Sequence, residues 1–293
     1  MFRFLVGRLL QGLLVLFALY TITFFLAKAM PGEPFTSEKN VSAETKSNIR
    51  KLYGLDKPIW EQYLIYPKNI ITEGSFGTST SKGRAVGDII AQSFPNSLLL
   101  GLCALGFAVG IGVPIGVLSA VRRNTWVDWS CMAIAMVGIC VPSFTIGPLL
   151  QIYFAAHVPG LKVAGWGSPQ DVLLPAFTLG LVSAAYLARL TRGGILEVLS
   201  QDFVRTAQAK GLSPSKVIIK HSLRGGLIPA VAYLGPAFAA LISGSFIVET
   251  IFQVPGMGQH FVNAATTRDE FLLLGVSLFF GFLIVVMNLL ADV

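Results

Sequence analysis

The sequence predicts an all-α, polytopic membrane protein with six transmembrane helices and one external insertion after the first helix. Its composition is the first observation that points to this fold. Of the 293 residues, 54% are hydrophobic and only 13% are charged, whereas a soluble domain carries about 25% charged residues. The composition therefore excludes an ordinary soluble enzyme and a disordered chain.

The second observation is a set of six stretches that contain no Asp, Glu, Lys or Arg. They cover residues 9–27, 89–121, 129–161, 172–188, 225–248 and 271–291. At a rise of about 1.5 Å per residue, about 20 helical residues cross the roughly 30 Å hydrocarbon core of a bilayer. Because a charge at the centre of a span costs about 2.5–3.5 kcal/mol on insertion scales, each stretch predicts one spanning helix.

Prolines and flanking charges affect the interpretation of three of these spans. Pro95 and Pro142 interrupt the two longest stretches, and we expect a re-entrant or interfacial turn in each. Arg3 and Arg8 in front of the first apolar run are also typical of a cleavable signal peptide. The run is longer than that of a usual signal peptide, which favours a retained helix over residues 1–29.

The third observation is the distribution of the formal net charge of +7. With the N-terminus placed in the cytoplasm, the inner segments carry 11 basic and three acidic residues, and the outer segments carry 11 of each. Nine of the outer basic residues lie in or beside a long loop, and long loops contribute little to orientation. The positive-inside rule thus predicts that both termini are cytoplasmic, and the charge requires no nucleic acid as a partner.

The external insertion spans residues 30–88. Ser42 can N-cap a short helix over residues 43–53. Pro58 suits the first turn of a second helix, and Pro67 predicts its end or a kink. Two interpretations remain open, namely a cap packed on the membrane domain and a docking surface for an external partner.

A structured inner loop over residues 189–224 interrupts the five-helix segment 89–293. Residues 194–210 have helical character, and Gly211 suits the position after the end of a helix. Ser213-Pro214 then suits the start of a second short helix that leads to the next span. The loop is therefore predicted to be a helix, a tight turn and a helix, either lying at the membrane interface or binding a partner.

No catalytic or metal-binding constellation is present in the sequence. The three histidines are scattered among different loops, and the three cysteines fall in apolar stretches, where they suit packing. The dipeptide Gly-Lys does not occur, which excludes a P-loop. The spans also lack the carboxylate or lysine that ion-coupled transporters usually carry. We expect no enzyme activity, metal or cofactor in this chain, but a passive pathway that a partner drives.

The inner loop and several shorter motifs resemble the permeases of binding-protein-dependent ABC importers. The stretch Gln-Asp-Phe-Val-Arg-Thr-Ala-Gln-Ala-Lys-Gly-Leu at residues 201–212 is similar to their cytoplasmic EAA loop. Arg205, His221 and Arg224 stand where the general pattern of this loop has Glu, Ile and Pro. The peptide-importer branch of the family tolerates these three replacements, so they indicate that branch. With Met-Pro-Gly-Glu-Pro at residues 30–34, the likeness is greatest to the B-type subunit of oligopeptide importers, and it covers nearly the whole chain.

This resemblance implies a type I ABC importer permease fold in the bacterial inner (plasma) membrane. It also implies the partners. These are a homologous C-type permease subunit, two ABC ATPase subunits that bind ATP and Mg²⁺, an external peptide-binding protein, and membrane lipid. Oligopeptides would pass between the two permease subunits, while ATP hydrolysis in the partners switches the pathway between its inward-facing and outward-facing states.

Two groups of residues are expected to act in this process. The coupling group is expected to contact an ATPase subunit, with small residues permitting close approach. It comprises Phe203, Arg205, Thr206, Ala207, Lys210, Gly211, Leu212, Ser213, Lys216 and His221. The pathway group comprises polar residues suited to a roomy peptide route: Asn96, Ser97, Ser143, Thr145, Ser243, Ser245 and Asn288. The alternative for this second group is a hydrogen bond to the backbone of the same helix.

Other functions remain open at this point. Within the same family, the cargo can be dipeptides, glutathione, nickel chelates or antimicrobial peptides. A stand-alone channel or ion-coupled secondary transporter would instead show flux without an ATPase. A membrane scaffold or sensor would show no flux even with partners present.

Overall fold

The computed structural model describes residues 2–30, 54, 56–155, 157–158, 162–243 and 245–292. In chain order the helices are α1 Phe2–Ala29, α2 Ile59–Glu73, α3 Val86–Val121, α4 Trp126–Cys140, α5 Ser143–Leu150, α6 Leu173–Leu199, α7 Asp202–Ala209, α8 Pro214–Lys216, α9 Leu223–Gly226, α10 Ile228–Ser243, α11 Phe246–Phe252, α12 Met257–Thr267 and α13 Glu270–Asp292. Two π-helical turns, Gln151–Ala155 and Val217–Ser222, and one 3₁₀ turn, Pro169–Val172, complete the described helical structure.

Four helices within the described ranges are long and apolar enough to cross a membrane. They cover Leu5–Ala29, Val86–Val121, Pro169–Leu199 and Glu270–Leu290. Two bent helix pairs raise the number to six if each pair forms one span. The predicted all-α polytopic fold is therefore confirmed.

The two prolines in the longest apolar stretches have different effects. Val141, before Pro142, has extended backbone geometry, and the helices on either side are bent by 101°. This break follows from the steric restriction that a proline imposes on the residue before it. Pro95 lies inside α3, which continues to Val121, so the predicted turn at Pro95 is wrong. A membrane helix tolerates proline where neighbouring groups satisfy the freed carbonyl.

One compact unit comprises Met1–Pro95 and Gly256–Val285. Its largest buried cluster includes Ala27, Val86, Ile89, Met257, Leu272 and Val276. A second cluster joins α1 to α2, where the rings of Tyr20 and Tyr66 stack with their centroids 5.8 Å apart. The Tyr20 hydroxyl donates a hydrogen bond of 2.6 Å to the Tyr63 carbonyl, which satisfies its polar end inside an apolar environment.

Helix α2 lies in this first unit and is longer than the sequence predicts. It begins after Pro58 as expected, and it continues through Pro67 to Glu73, so that of the two outcomes predicted for Pro67, an end or a kink, the end is excluded. Gly74 ends it with a left-handed backbone (φ 63°) and donates its N–H to the Ile70 carbonyl at 3.1 Å. The predicted helix over residues 43–53 and its cap Ser42 lie outside the described residues.

The other compact unit comprises Asn96–Pro255 and Val286–Val293. Its largest buried cluster includes Leu100, Ala104, Leu179, Leu241, Val248, Phe252 and Val254. Within this unit α3 and α6 approach at backbone distance. A Cβ atom on Gly112 would lie 2.4 Å from the Ala184 carbonyl oxygen, and a Cβ atom on Gly180 would lie 2.5 Å from the Ala104 carbonyl oxygen. Small residues are what permit such contact between membrane helices.

Candidate functional site

The candidate coupling segment starts where α6 ends. Gln201 has extended geometry (ψ 151°), so that the helical stretch predicted over residues 194–210 divides into α6 and α7. Asp202 stands in the first turn of α7, where a carboxylate interacts favourably with the helix dipole. Its exposed ion pair with Arg205, at 3.7 Å, adds little stability. The chain thus starts a separate short helix that is not continuous with α6.

Helix α7 has one face packed on its own chain and one face open. Val204 and Ala207 are buried in a cluster with Val198 and Val217. Phe203 lies on the open side with 46% of its surface exposed. The internal packing holds the helix in place, while the exposed aromatic ring remains available for a partner.

A Schellman motif ends α7. The N–H of Gly211 donates to the Gln208 carbonyl at 2.9 Å, and the N–H of Leu212 donates to the Ala207 carbonyl at 3.3 Å. Gly211 has a left-handed backbone with φ 79°, a conformation that glycine adopts without steric cost. Leu212 packs beside Ala207 in the same cluster, as this motif favours. The sequence predicts a glycine after this helix, and the left-handed backbone of the turn explains why Gly211 occupies that position.

The chain returns through a helix that is less regular than predicted. Ser213-Pro214 starts α8 with the proline in the first turn, as expected. The segment Val217–Ser222 is π-helical, and the Ser222 hydroxyl donates to the Val217 carbonyl at 3.2 Å. The chain then enters α9. A π-helical turn of this kind occurs frequently at functional sites.

The sequence reasoning missed a buried ion pair next to this segment. Nε of Arg192 lies 2.7 Å from Oδ1 of Asp128, and a terminal guanidinium nitrogen lies 2.8 Å from Oδ2. Asp128 also accepts hydrogen bonds from the Ser119 hydroxyl and from the Asn124 N–H. The carboxylate thereby connects the end of α3, the start of α4 and the last third of α6. In the sequence, the only indication of this ion pair was that Asp128 lies next to the start of the predicted span over residues 129–161.

The coupling group is mostly exposed in the structure. Exposed members are Phe203, Arg205, Thr206, Lys210, Gly211, Ser213 and Lys216. Leu212 and His221 are half-buried, and Ala207 is buried in the chain's own cluster. The exposed members all fall within residues 203–216, around α7 and its turn, and together they are the candidate contact surface.

Two residues of the pathway group meet at a buried carboxylate. Glu249 in α11 is fully buried, and its Oε1 accepts hydrogen bonds from the hydroxyls of Ser97 at 2.7 Å and Ser245 at 2.6 Å. Asn96 lies one residue before Ser97 and donates to the Pro255 carbonyl at 2.9 Å. These polar groups join α3 to α11 and the segment after it.

The other four members of the pathway group are not part of this cluster. Ser143 and Thr145 lie in the first turn of α5, and Asn288 lies near the end of α13. The Ser243 hydroxyl donates to the Ala239 carbonyl of its own helix at 2.9 Å. This is the same-helix backbone hydrogen bond that was the alternative interpretation of the pathway group. Among the described residues, no three His, Cys, Asp or Glu side chains are close enough to hold a metal ion.

Comparison with known families assigns the class of this protein. The model of the family described as binding-protein-dependent transport system inner membrane component matches residues 112–293, and the model of its N-terminal part matches residues 1–101. The chain therefore belongs to this family of permeases.

Individual relatives are similar over nearly their full length. The oligopeptide transport system permease protein OppB of Haemophilus influenzae is 42% identical over 296 residues, which cover 100% of this chain and 96% of the relative. OppB of Escherichia coli is 42% identical over 284 residues, covering 96% and 92%. The dipeptide transport system permease protein DppB of Bacillus subtilis is 39% identical over 293 residues, covering 100% and 95%.

Solved structures agree on the fold. An inward-facing MetNI methionine ABC transporter matches with a TM-score of 0.57 and 19% identity, covering 70% of this chain and 93% of the matched chain. An amino acid ABC transporter crystallised with histidines matches with a TM-score of 0.51 and 17% identity, covering 69% and 94%. At such low identity the likeness concerns the fold alone, and it confirms the predicted ABC importer permease fold.

Proposed function

We propose that this chain is the transmembrane pathway subunit of an ATP-driven importer of oligopeptides. In this proposal both termini are cytoplasmic, residues 30–88 form the external insertion, and residues 189–224 form the coupling loop. A second permease subunit completes the pathway, two ATPase subunits bind ATP and Mg²⁺, and an external binding protein delivers the cargo. Membership of the binding-protein-dependent family and the full-length likeness to OppB support this assignment.

The single observation that carries the coupling role is the two-sided packing of α7. Val204 and Ala207 fix one side to the chain's own core, and Phe203 leaves an aromatic ring exposed on the other. Aromatic side chains, Phe included, bury a large apolar area and dominate the energetics of many protein interfaces. A force applied to the exposed side reaches α6 through the buried side, which is what coupling to ATP hydrolysis requires.

The test uses the complete complex with the second permease subunit and the ATPase subunits. Phe203→Ser removes the exposed ring, and Ile71→Ser removes an exposed apolar side chain on α2 as the matched control. We expect Phe203→Ser to weaken ATPase association by about 2 kcal/mol, or roughly 30-fold, and to abolish transport-coupled ATP hydrolysis. If Phe203→Ser retains both the association with the ATPase subunits and the transport-coupled ATP hydrolysis, α7 is excluded as the coupling helix.

The cargo is assigned by a separate experiment. The names of the relatives favour oligopeptides first and dipeptides second, since OppB is 42% and DppB 39% identical. Purified partner binding protein should retain peptides of several residues from a mixed library, as detected by mass spectrometry. Retention of dipeptides alone would instead favour the second assignment.

The orientation is tested by labelling in intact cells. Single cysteines placed at Arg3 and Ser213 should react with a membrane-impermeant maleimide only after the cells are opened. A cysteine at Lys68 on α2 should react in intact cells, because the proposed topology places it outside. Labelling of Ser213→Cys in intact cells would contradict this topology.

A further inference from the structure

A tight hairpin with two cationic side chains lies between α2 and α3. The N–H of Ser79 donates to the Arg84 carbonyl at 2.8 Å, and the N–H of Gly83 donates to the Ser79 carbonyl at 2.9 Å. Gly83 has a left-handed backbone with φ 62°, which permits the reversal. We refer to residues 77–85 together with His260 as the basic hairpin. Its tip, which includes Lys82, is exposed.

A buried carboxylate fixes the hairpin in one conformation. Asp269 is fully buried, and its Oδ2 accepts hydrogen bonds from the Ser79 hydroxyl at 2.5 Å, the Ser81 N–H at 3.0 Å and the Ser81 hydroxyl at 2.7 Å. Its Oδ1 accepts from the N–H of Leu272 at 3.1 Å. Oδ2 thus holds the loop, while Oδ1 caps the first turn of α13. The charges at the tip are therefore presented in a defined arrangement.

The tip carries two positive charges that form no ion pair among the described residues. Lys82 and Arg84 are both exposed, and within the described residues neither makes a salt bridge. The Lys82 ammonium donates a hydrogen bond of 2.7 Å to Nδ1 of His260. An ammonium group only donates, so this hydrogen bond requires a neutral His260 with its proton on Nε2. Burial, together with Lys82 and Arg84, lowers the pKa of His260 to about 4.

Such an arrangement has an electrostatic cost that a negative partner would offset. Neighbouring cations on a fixed loop repel one another, and burial and Arg84 lower the pKa of Lys82. Asp269 attracts Lys82, but its Oδ2 already accepts three hydrogen bonds from the loop and its Oδ1 accepts one from Leu272. An exposed hairpin tip can contact an extended protein surface. Complementary charges across a protein interface mainly raise the association rate.

We propose that the basic hairpin is a docking surface for an acidic patch on the external binding protein. This inference rests on the proposed function, which places residues 77–85 and His260 outside. Lys82 and Arg84 pair with carboxylates of the incoming protein, and Nε2–H of His260 donates one further hydrogen bond. The hairpin sets the speed and orientation of docking, while the cargo itself passes elsewhere.

The experiment measures docking of the binding protein on the assembled complex in nanodiscs. The charge-reversal variant is Lys82→Glu/Arg84→Glu, and Lys68→Glu on the exposed face of α2 is the matched control. We expect the reversal to slow association at least tenfold, to weaken the salt dependence of the rate, and to leave basal ATP hydrolysis unchanged. The milder Lys82→Gln/Arg84→Gln should give an intermediate rate, and Lys82→Arg/Arg84→Lys should retain the wild-type rate.

The outcomes separate this proposal from the proposed function. If wild-type complex responds to the binding protein and the reversal variant associates within twofold of it, the docking surface is wrong and the importer function stands. If the wild-type complex neither binds nor responds to the binding protein, both proposals fail. If the reversal matters only in nanodiscs that contain anionic lipid, the hairpin contacts lipid headgroups, which also overturns the proposal.

Discussion

Gly194 of α6 and Gly226 of α9 are in backbone contact. A Cβ atom on Gly194 would lie 2.2 Å from the carbonyl oxygen of Gly226, and a Cβ atom on Gly226 would lie 2.9 Å from the Cα of Ile195. The helices on either side of the coupling segment, α6 and α9, therefore cross at a point where no side chain fits. The crossing closes the segment into a loop of fixed geometry.

Gly194→Ala should disrupt this crossing. Backbone atoms cannot move aside as a side chain can, so the helices have to separate, at a cost typical of overpacking, about 1–3 kcal/mol. Gly193→Ala is the matched control, because nothing lies within 4 Å of its Cβ position and alanine is the better helix former. Thermal unfolding in detergent should show a lower midpoint for Gly194→Ala alone. Equal midpoints for the two variants would contradict the predicted contact.

The Asp128–Arg192 pair predicts an asymmetry between its two partners. Arg192→Ala strands a carboxylate that is 1% exposed, whereas Asp128→Asn leaves a guanidinium with 29% of its side chain exposed. Removing one partner of a buried pair costs about 3–5 kcal/mol when a charge is left without solvent. We expect a loss of about 3 kcal/mol for Arg192→Ala and a smaller loss for Asp128→Asn.

The double variant Asp128→Asn/Arg192→Ala tests this explanation. It contains no stranded carboxylate, so its unfolding midpoint should be higher than that of Arg192→Ala. Additive losses in the double variant would show that the two residues stabilise the chain independently.

The sequence predicted the spans well because lipid excludes charge along a whole helix. Breaks within the helices were less predictable, because tertiary contacts determine whether a proline interrupts its helix. Pro95 and Pro142 occur in similar apolar stretches, yet only Pro142 interrupts its helix. The outcome depends on whether neighbouring groups satisfy the freed carbonyl, and the sequence does not specify those neighbours.

The sequence also does not show which small residues lie at contacts between helices. Gly110 and Gly112 lie two residues apart in α3, but only Gly112 meets another helix, at the Ala184 carbonyl. Periodicity does not reveal which face of an apolar helix meets a partner when all faces are apolar. In the coupling segment, Ala207 was expected at an ATPase contact and is packed in the chain's own cluster. Whether it also contributes to a partner contact stays a prediction.

Ser97 is predicted to stabilise the unit formed by Asn96–Pro255 and Val286–Val293 through Glu249. A hydrogen bond to a buried charged group contributes about 1.5–3 kcal/mol, and the Ser97 hydroxyl supplies one at 2.7 Å. Ser97→Ala should therefore lower the unfolding midpoint clearly. Ser243→Ala is the control, because that hydroxyl bonds only to backbone carbonyls of its own helix. A smaller effect for Ser97→Ala than for Ser243→Ala would contradict the role of the carboxylate.

His260 predicts a specific pH dependence of stability. Burial, Lys82 and Arg84 lower its pKa from 6.5 to about 4, and Asp269 beside Lys82 does not reverse this shift. Between pH 6.5 and pH 4 the unfolded chain binds more protons at this residue than the folded chain does. The folded state therefore loses stability as the pH falls through this window, and the residue contributes nothing above it.

His260→Gln removes this contribution because glutamine does not titrate. The melting temperature of the variant should fall less between pH 7.5 and pH 5 than that of the wild-type chain, measured in the same detergent. His221→Gln, in the coupling segment, controls for the loss of a histidine elsewhere. Parallel pH profiles for wild-type chain and His260→Gln would show that His260 already accepts a proton in the folded state, and the hydrogen bond from Lys82 would then have to be reassigned.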